Sequence, residues 1–559
     1  MILSPDYDAR CRLYRNLARE CAVSQNERRA RVSAQRTAYL TGTDSGGRAL
    51  YNRLREWADS SAANLYAPGM ARWAVASPAH YGDKFREEEA AARDYFARYW
   101  DASGASLVFD LGVEWAHPFD SVVFKVVAND NAPRLWMLPD PSDLGVLRED
   151  LPTLDQQEAI CHYYDLDLSA FERLIAVLPT ERRQAMRQAA ADHASPPRSS
   201  ASLIPAPVQN IILTAASPSS LSGAVLGIPH ILLGLAKVQE PCARMAELWV
   251  RDDRARSWMR VLVHVPTDEI LHEEPMESTY GAAHAFHSLT LSEVPGYLWG
   301  LSPMDGLTAL QRWREKRMAQ IDLREDLQMD PPLMFAGVLG LTDEQAIRVR
   351  APGGNVYSQL PNASVTPILA PMPPDAMALV DAIDRMFDRQ SGMTHGGAGE
   401  GQPNVRSGDQ EFALAALGSP RTRRKAARVE AVANRIATQM LRITARVEGT
   451  TFLKRDGSEF FPSQLPPDIT AEISAHSASP YYEAAIKADA AIALQVGAID
   501  KEDFIEMTSL PLQHALRAKA RRRMQLEAEV AKGQLGREDA LVKAKAITAE
   551  SHLIKAEKP

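Results

Sequence analysis

Cysteine is scarce in this sequence. Its 559 residues include four cysteines, which are Cys11, Cys21, Cys161 and Cys242. No two of them form a CxxC pair, so the sequence signals neither a disulfide framework nor a zinc knuckle, and a reducing compartment is the natural setting. The chain also lacks any Gly-Lys dipeptide. That absence excludes a Walker A phosphate-binding loop.

An excess of positive charge is also missing. Lysine and arginine number 63 against 71 aspartates and glutamates, which gives a formal net charge of −8 and a pI near 6.0. A protein that holds nucleic acid tightly through its phosphates needs a strongly positive surface. If this chain meets DNA, we therefore expect it to let the DNA move.

Long hydrophobic runs are absent as well. The longest apolar stretch, Leu221 to Ala236, is interrupted by three glycines and Pro229. It is shorter than the roughly 20 residues that a membrane-spanning helix needs. We interpret it as a buried segment and expect no membrane association. A membrane-associated assembly factor would require this run to insert into lipid.

The chain contains enough apolar residues to form large hydrophobic cores. The hydrophobic fraction is 45%, and the length suggests several domains or subdomains. An arginine-rich helix is predicted over Asp6 to Tyr39, either as a solvated helical face or as an arm that touches neighbouring subunits or nucleic acid. A second helix is predicted over Ala49 to Leu65.

Residues 66–300 show a mixture of helix and strand signals. The predicted helices are Lys84 to Trp100 and Asp155 to Ala191, and the predicted strands are Ser106 to Leu111, Ser121 to Val127, Trp258 to Val265 and Ile270 to His272. Residues 136–150 are rich in turn formers, and residues 192–207 form a Ser/Pro/Ala-rich connector. This region is therefore expected to be a mixed α/β lobe.

A long helix is predicted to follow, beginning at Ser302. Ser302 can cap the helix, and Pro303 suits its first position because the missing N–H is not needed there. Apolar residues then recur at steps of three or four, with one gap of five, at Leu307, Leu310, Trp313, Met318 and Ile321. The helix should end at Asp330, because Pro331 and Pro332 cannot continue it. Its length of roughly 40 Å is large for a globular domain.

A proline-bounded excursion and a shorter helix come next. Residues 331–374 carry a Gly353-Gly354 turn between β-prone runs, which predicts a small α/β tip. The helix after Asp375 has an apolar side comprising Leu379, Ile383, Met386 and Phe387. Asp381, Asp384 and Asp388 have i, i+3 and i+7 spacing and so form one acidic stripe. A solvated face is the ordinary explanation for such a stripe.

Six glycines between Ser391 and Gly408 predict a mobile loop whose backbone can closely approach a ligand. A long helix should follow, with a kink or break at Gly418-Ser419-Pro420. Its buried side is predicted to comprise Val429, Val432, Ile436, Met440 and Ile443. Beyond it, residues 451–453 and 459–461 predict a hairpin, and residues 481–497 predict a helix.

Catalytic signals are sparse. His284 and His287, with His264 and His272 upstream, could form a metal site only if the fold gathered them. A metal-dependent DNA-processing enzyme, such as a nuclease that uses His284, His287 and nearby acids, is the alternative that this pattern leaves open. We expect no enzymatic activity, no cofactor and no bound metal.

The order of short motifs in the centre of the chain points to a family. The motifs are Tyr-Leu-Trp-Gly-Leu-Ser-Pro-Met-Asp-Gly-Leu-Thr-Ala-Leu-Gln (297–311), Leu-Gln-Met-Asp-Pro-Pro (327–332), Ala-Pro-Gly-Gly (351–354) and Asn-Val-Arg-Ser-Gly (404–408). Each is weak alone. Their order and spacing resemble the portal proteins of tailed bacteriophages, the head-to-tail connectors. The lobe before them and the tail after them match only in general character.

The resemblance implies a predominantly helical α+β, portal-type fold that forms rings. The implied parts are an N-terminal helical region (1–65), a mixed α/β wing (66–300), a first stem helix (301–330), a clip (331–374), a second stem helix (375–391), a tunnel loop (392–407), a kinked helix with the wing hairpin (408–479) and a C-terminal helical crown (480–559). Residues 192–236 have no counterpart that can be named.

The resemblance also implies a function. It implies a ring of twelve subunits at one capsid vertex of the virion, assembled in the host cytoplasm, through which double-stranded DNA is packaged and ejected. Implied partners are the terminase large subunit, head-tail adaptor proteins, and the major capsid and scaffold proteins.

Site residues follow from the same resemblance. The tunnel-loop residues facing DNA are His395, Gly396, Gly397, Gly399, Glu400, Asn404 and Arg406. The clip residues that dock the motor or adaptor are Pro331, Pro332, Gly353 and Gly354. Asp381, Asp384 and Asp388 would line the stem channel, where they would repel phosphates over the 8 to 10 Å or so that salt leaves unscreened.

Overall fold

The computed structural model describes most of the chain outside a few segments. The described residues are 3, 6–42, 51–68, 71–78, 81, 85–129, 132–176, 178–193, 242–329, 333–336, 362, 364–367, 375–392, 420–446, 452–453, 459–473, 483–499, 504–505 and 522. The run Leu221 to Ala236 lies outside them. In the part of the chain that is described, no helix combines the length and apolar character needed to cross a membrane.

The described elements confirm the predicted mixture of helix and sheet. The helices are α1 Tyr7–Thr41, α2 Arg53–Leu65, α3 Arg86–Ala102, α4 Ala105–Trp115, α5 Leu168–Ile175, α6 Thr180–Asp192, α7 Glu277–Tyr280, α8 Asp305–Met329, α9 Ala376–Ser391, α10 Pro420–Arg446 and α11 Glu483–Val496. The strands are β1 Trp73–Ala76, β2 Val122–Asn129, β3 Ala132–Met137, β4 Leu144–Val146, β5 Ala159–Asp167, β6 Cys242–Asp252, β7 Ser257–His264, β8 Glu269–Pro275, β9 Phe286–Leu289, β10 Leu333–Ala336, β11 Ser364–Pro367, β12 Phe452–Leu453, β13 Glu459–Phe460 and β14 Thr470–Ile473.

An antiparallel five-stranded sheet, in the order β4-β5-β6-β7-β8, carries α1 on one face. Alternate residues of each strand point toward that helix, as at Ala159, Cys161 and Tyr163, because successive side chains of a strand point to opposite faces. The helix lies so close to β4 that a Cβ on Gly145 would stand 2.3 Å from the Cys21 carbonyl oxygen. Only glycine fits at that position without a shift.

A three-stranded antiparallel sheet, in the order β3-β2-β9, forms the second layer. Helices α3, α4 and α10 contribute to the large core that includes one face of this sheet. Within that core, Phe109 of α4 stacks on Phe124 of β2 with ring centroids 5.2 Å apart. The predicted apolar side of α10 is confirmed, since all five of its residues are buried: Val429, Val432, Ile436, Met440 and Ile443.

The two sheets are joined by a buried ion pair. Lys125 of β2 contacts the Glu247 carboxylate on β6, and Trp249 Nε1 donates to the same carboxylate at 2.9 Å. Burial alone would raise the pKa of Glu247, but the positive Lys125 and the neighbouring His162 hold this pKa well below its ordinary value. The carboxylate is therefore ionised inside the fold and fixes the two sheets against each other.

The arginines of α1 have different environments: Arg28 and Arg36 are buried, while Arg12 and Arg19 are exposed. The prediction of a solvated helical face is therefore wrong for the buried ones, and contact of this helix with neighbouring subunits or nucleic acid stays a prediction. Arg28 is 1% exposed, and its guanidinium bonds the Asp120 carboxylate (Nη2 to Oδ1, 2.6 Å) and the Pro141 carbonyl (2.6 Å). It also lies over the Trp299 ring at 3.8 Å. Arg31 adds a second bond to Asp120 at 2.9 Å. The arginine-rich pattern marks a buried anchor, because the carboxylates that neutralise it come from distant parts of the chain.

Two local predictions in the wing were wrong. The run Ser106 to Leu111 is part of helix α4, where Ala105, Phe109, Gly112 and Val113 follow a helical period and are buried. The region Asp155 to Ala191 begins with strand β5, which pairs along its whole length with β6. In both cases a short apolar run did not distinguish helix from strand.

Other local predictions are confirmed. Strand β7 pairs with β8 through Leu262 and His272, and β12 pairs with β13 through Phe452 and Phe460. Helices α1, α2, α3 and α11 lie within one to four residues of their predicted ends, as helix-boundary assignments commonly vary.

The Arg28 anchor generates a stability prediction. Asp120→Ala leaves a buried guanidinium without its carboxylate, and breaking a buried pair in this way costs about 3–5 kcal/mol. We expect the free energy of unfolding to fall by that amount in a urea titration followed by tryptophan fluorescence. Asp150→Ala, which removes an exposed pair with Arg148, is the control and should leave unfolding unchanged. Equal effects of the two variants would contradict the anchor.

Candidate functional site

Two packed helices, α8 and α9, form the element on which the candidate site is built. Ser302 was predicted to begin α8, but the helix begins at Asp305. The Ser302 hydroxyl donates to the His117 carbonyl and accepts from the Met304 amide, both at 3.0 Å. Ser302 is thereby held in a turn that precedes the helix and ties it to the wing. The helix ends at Met329, next to the predicted Asp330.

A two-stranded sheet joins the ends of α8 and α9 that lie away from the Ser302 turn. Strands β10 and β11 pair antiparallel, with Leu333 opposite Pro367 and Ala336 opposite Ser364. Strand β11 overlaps the predicted β-prone run at 365–369, and the run at 347–349 lies outside the described residues. The small α/β tip as a whole stays a prediction. The predicted docking residues Pro331, Pro332, Gly353 and Gly354 lie outside the described residues.

The three aspartates of α9 do not share one environment. Asp384 bonds Arg53 Nη1 at 2.8 Å and Arg314 Nε at 2.9 Å, and Asp388 bonds Arg53 Nη2 at 2.6 Å. Asp381 is exposed. The spacing that predicted one acidic stripe holds, but its free negative charge is confined to Asp381, since Asp384 and Asp388 are neutralised by arginines.

Arg53 of α2 is the residue that fixes α9 to the N-terminal helical region. Its guanidinium bridges both carboxylates and lies 4.8 Å from the centroid of the Phe387 ring, which is buried. Sequence reasoning missed this residue. Its partners lie more than 300 positions along the chain, at separations of 331 and 335, and no local pattern could have identified them.

The outward face of α9 carries both signs of charge. Arg385 and Arg389 are exposed together with Asp381, and Arg385 Nε donates to the Asp381 carbonyl at 3.2 Å. The side chains of α9 therefore do not form an acidic lining on their own. A surface of mixed sign neither holds nor strongly repels a polyanion.

Apolar side chains remain uncovered on both helices. Trp313 is 37% exposed and Leu323 is 59% exposed, although Trp313 was predicted to face the core. Met386 was also predicted to be buried and is instead about half exposed. The prediction failed because α8 packs on the fold through few residues, with Leu307, Gln311 and Ile321 as its buried positions. Among the residues that the structure describes, this surface has no partner.

The ends of α9 and α10 meet at one place. Helix α9 closes at Gly392, whose φ of 74° is a left-handed conformation that favours glycine. Arg421, at the start of α10, donates from Nη1 to the Gln390 carbonyl at 3.1 Å. The chain between Gly392 and Pro420 therefore leaves and re-enters the described fold at the same point, beside the wing end of the helix pair.

The predicted tunnel-loop residues belong to that intervening segment. They are His395, Gly396, Gly397, Gly399, Glu400, Asn404 and Arg406, and they lie outside the described residues. The predicted kink at Gly418-Ser419-Pro420 also falls there, except for Pro420, at which α10 begins. The structure shows where this segment begins and ends, at the point where α9 and α10 meet.

The basic cluster at the start of α10 is distributed around the helix. Arg421 bonds the end of α9, and Lys425 packs against the Trp57 ring at 5.1 Å. Burial lowers the pKa of Lys425 to about 8. Arg423 and Arg424 are exposed on different sides of the helix. These side chains do not form one basic patch.

The four histidines named as a possible metal site are not gathered. His264 Nδ1 contacts the Thr267 hydroxyl at 2.8 Å, and His272 contacts Glu274 at 3.3 Å. His284 and His287 are close, but their rings are engaged with Asp155 and Gln439. Within the described ranges, no three His, Cys, Asp or Glu residues are placed to hold a metal ion.

Comparisons with known proteins give weak likenesses. No protein-family model and no curated protein matches the chain. Among solved structures, the chain is similar to a chain of the virion of a native gene transfer agent particle, with 12% identity, a TM-score of 0.40 and coverage of 88% of this chain and 99% of that one.

Two neck structures give comparable values. A chain from the neck of an empty gene transfer agent particle, computed with C6 symmetry, is 12% identical with a TM-score of 0.37 and covers 86% of this chain and 94% of that one. A chain from the neck of a native particle, computed with C12 symmetry, is 10% identical with a TM-score of 0.34 and covers 86% and 99%. TM-scores below 0.5 do not carry a functional argument.

The contacts of Arg53 predict how the helix pair is attached. Arg53→Ala removes both ion pairs to α9, and we expect faster amide hydrogen exchange over residues 376–391, by at least tenfold at the wing end of that helix. Arg385→Ala is the control, because that exposed side chain contacts only its own helix. If both variants exchange at the wild-type rate, the clamp does not hold the helix.

Proposed function

We propose that this chain is the portal protein of a phage-like particle, a ring through which double-stranded DNA enters and leaves the capsid. The observation that carries this proposal is the helix pair α8 and α9. It is capped by a two-stranded sheet at one end and clamped to the N-terminal helical region by Arg53 at the other. The order of the portal-like motifs along the same elements supports it. The two helices are the stem, and residues 331–374 are the clip.

In a ring of identical subunits, the exposed apolar side chains of the stem would pack against the neighbouring subunit. Trp313, Leu323 and Leu327 lie on the outward side of α8. Apolar side chains exposed along one helix are the positions at which we expect a subunit contact, because large apolar patches mark interaction sites. In a closed ring of twelve, each stem would cover its neighbour, and the wing and the crown (residues 480–559) would extend the same contacts.

The charge of the molecule suits a passage that does not hold DNA. The net charge is −8, and the exposed face of α9 combines Asp381 with Arg385 and Arg389. In this proposal Asp381 contributes to the channel lining, whereas Asp384 and Asp388 keep the stem in place. Contacts with DNA come from the segment 392–407, which emerges where α9 and α10 meet.

The proposed partners follow from the two ends of the ring. The clip would dock the terminase large subunit during packaging and the head-tail adaptor afterwards. The wing would be surrounded by the major capsid and scaffold proteins at one vertex of the virion. The motion of DNA would be driven by the terminase, so no catalytic group is required in this chain.

The nuclease alternative has less support from geometry. His284 Nδ1 accepts a hydrogen bond from the Phe286 amide at 3.1 Å, while its Nε2 lies 3.1 Å from Asp155. The Nδ1 lone pair is thus used by this amide, the neutral ring then carries its proton on Nε2, and a metal ligand needs a free lone pair. His287 also uses Nε2 for Gln439, which leaves at most one nitrogen for a metal from the pair.

Assembly separates the portal from the nuclease directly. A ring of about twelve chains of 61.5 kDa should dominate in mass photometry, and end-on electron micrographs should show a central opening. A monomer that cleaves DNA when manganese or zinc is added would overturn the portal assignment.

Deleting Gly396 to Gly401 tests the loop. The ring should still form, because the ends of the segment are fixed by α9 and α10, but packaging or retention of DNA should fall at least tenfold, measured as filled particles. A six-residue deletion of 198–203 in the Ser/Pro/Ala-rich connector is the matched control and should package normally. Loss of assembly with normal DNA handling would contradict the role given to the loop.

A further inference from the structure

A cleft on the wing, remote from the stem tip, has no role in the proposed function. It lies between the first half of α10, the segment 288–298 that follows β9, and residues 152–155, and its volume is about 580 Å³. That volume falls within the roughly 300–1,000 Å³ of small-ligand sites. Among its lining residues are both histidines that the sequence had singled out, His284 and His287.

One face of α10 forms a wall of the cleft. Arg424, Ala427, Arg428, Ala431 and Arg435 all line it. Their successive spacings of three, one, three and four residues put them on one side of the helix. The two alanines leave open volume between long side chains, so the guanidinium groups border a space and not a packed core.

The acidic residues of the cleft are already paired within it. Arg428 Nη2 bonds the Glu293 carboxylate at 2.6 Å, and Arg428 Nη1 also donates to the Leu291 carbonyl. Asp155 is 3.1 Å from His284 Nε2, and the neighbouring His284 is the main cause that lowers the pKa of the Asp155 carboxyl. The field left in the cleft is positive, since three arginines face two carboxylates.

Arg424 and Arg435 form no ion pair among the described residues, although the positive charge of Arg435 helps to lower the pKa of Asp155. Both are exposed, and neither has a carboxylate within the 4.0 Å of an ion pair among the residues that the structure describes. They lie eleven positions apart, which is roughly 16 Å along the helix at 1.5 Å per residue. Arg428, held rigid by Glu293, stands between them.

The two histidines of the cleft do not suit a metal ion. His287 also stays neutral at physiological pH, so it does not change the charge of the cleft. Gln439 Nε2 donates to the His284 carbonyl at 2.6 Å, so Gln439 Oε1 accepts from His287 Nε2. Burial lowers the pKa of His287 to about 4, so its ring is neutral at physiological pH. The positive charge available to a ligand comes from arginine, whose charge is permanent.

We propose that this cleft is a phosphate-binding site, with Arg424 and Arg435 as its two anchoring residues. The planar guanidinium fork matches phosphate oxygens in two parallel hydrogen bonds, which gives both strength and orientation. Separate anchors at the two ends suit a ligand that carries more than one phosphate. Two sources share that chemistry: a short stretch of nucleic-acid strand and a free nucleotide. The site is independent of whether the chain forms a ring.

Binding to the full-length protein tests the site. A fluorescein-labelled six-nucleotide single strand is titrated by anisotropy at several salt concentrations, with ADP and inorganic phosphate as competitors. Arg424→Ala with Arg435→Ala should weaken binding at least tenfold and reduce the slope of log K against log salt by about 1.4, the value for two lost phosphate contacts on a single strand. Arg423→Ala is the matched control, exposed on another side of the same helix, and should stay within twofold.

The competitors identify the source. Displacement by millimolar ADP or phosphate assigns the site to free phosphate ligands, and displacement only by unlabelled strand assigns it to nucleic acid; either supports the proposal. No binding, equal loss in the control variant, or equal displacement by a glutamate-rich peptide of the same charge would overturn it. Because ring formation is read separately by mass photometry, failure here does not bear on the portal assignment.

Discussion

The buried guanidinium of Arg28 holds together parts of the chain that are far apart in sequence. Its contacts reach Asp120 before β2, the Pro141 carbonyl before β4, and the Trp299 ring just before the stem. A buried arginine is tolerated only when its donors are matched, and here a carboxylate, carbonyls and a hydroxyl match them. The long helix α1, both wing sheets and the approach to α8 consequently share one rigid base, from which the stem projects.

A second set of ion pairs holds the proposed stem, again by matching arginines with carboxylates that are distant in sequence. Arg53 and Arg314 neutralise Asp384 and Asp388, so these carboxylates position the helix pair and cannot repel a phosphate chain at full strength. In the proposed portal, passage of DNA without tight binding would rest on an overall negative chain, a face of α9 with mixed sign, and a small number of contacts from the segment after Gly392. Attachment and lining would then be carried out by different residues of one helix.

Local signals in the sequence predicted much of the fold. Prolines and glycines located the ends of α8 and α9, and the helical period of α10 identified its buried side. The sequence failed where tertiary contacts decide. The run predicted as a strand at residues 106–111 is helical, with Phe109 buried in the core while Leu107 and Leu111 are exposed. Arg28 is buried against Asp120, which lies 92 positions away in the sequence. Ion pairs between residues so far apart in sequence produce no periodic pattern. The sequence could therefore not predict that Asp384 and Asp388 are paired with arginines while Asp381 is exposed.

The central claim is that the segment between Gly392 and Pro420 faces the DNA path. A photo-crosslinking amino acid at position 397 tests this most directly, in particles filled with DNA, with the same group at the exposed Trp136 of the wing as reference. The account predicts protein–DNA crosslinks from position 397 in filled particles and none from position 136. Crosslinks from 136 but not from 397 would place the segment away from the passage and contradict it.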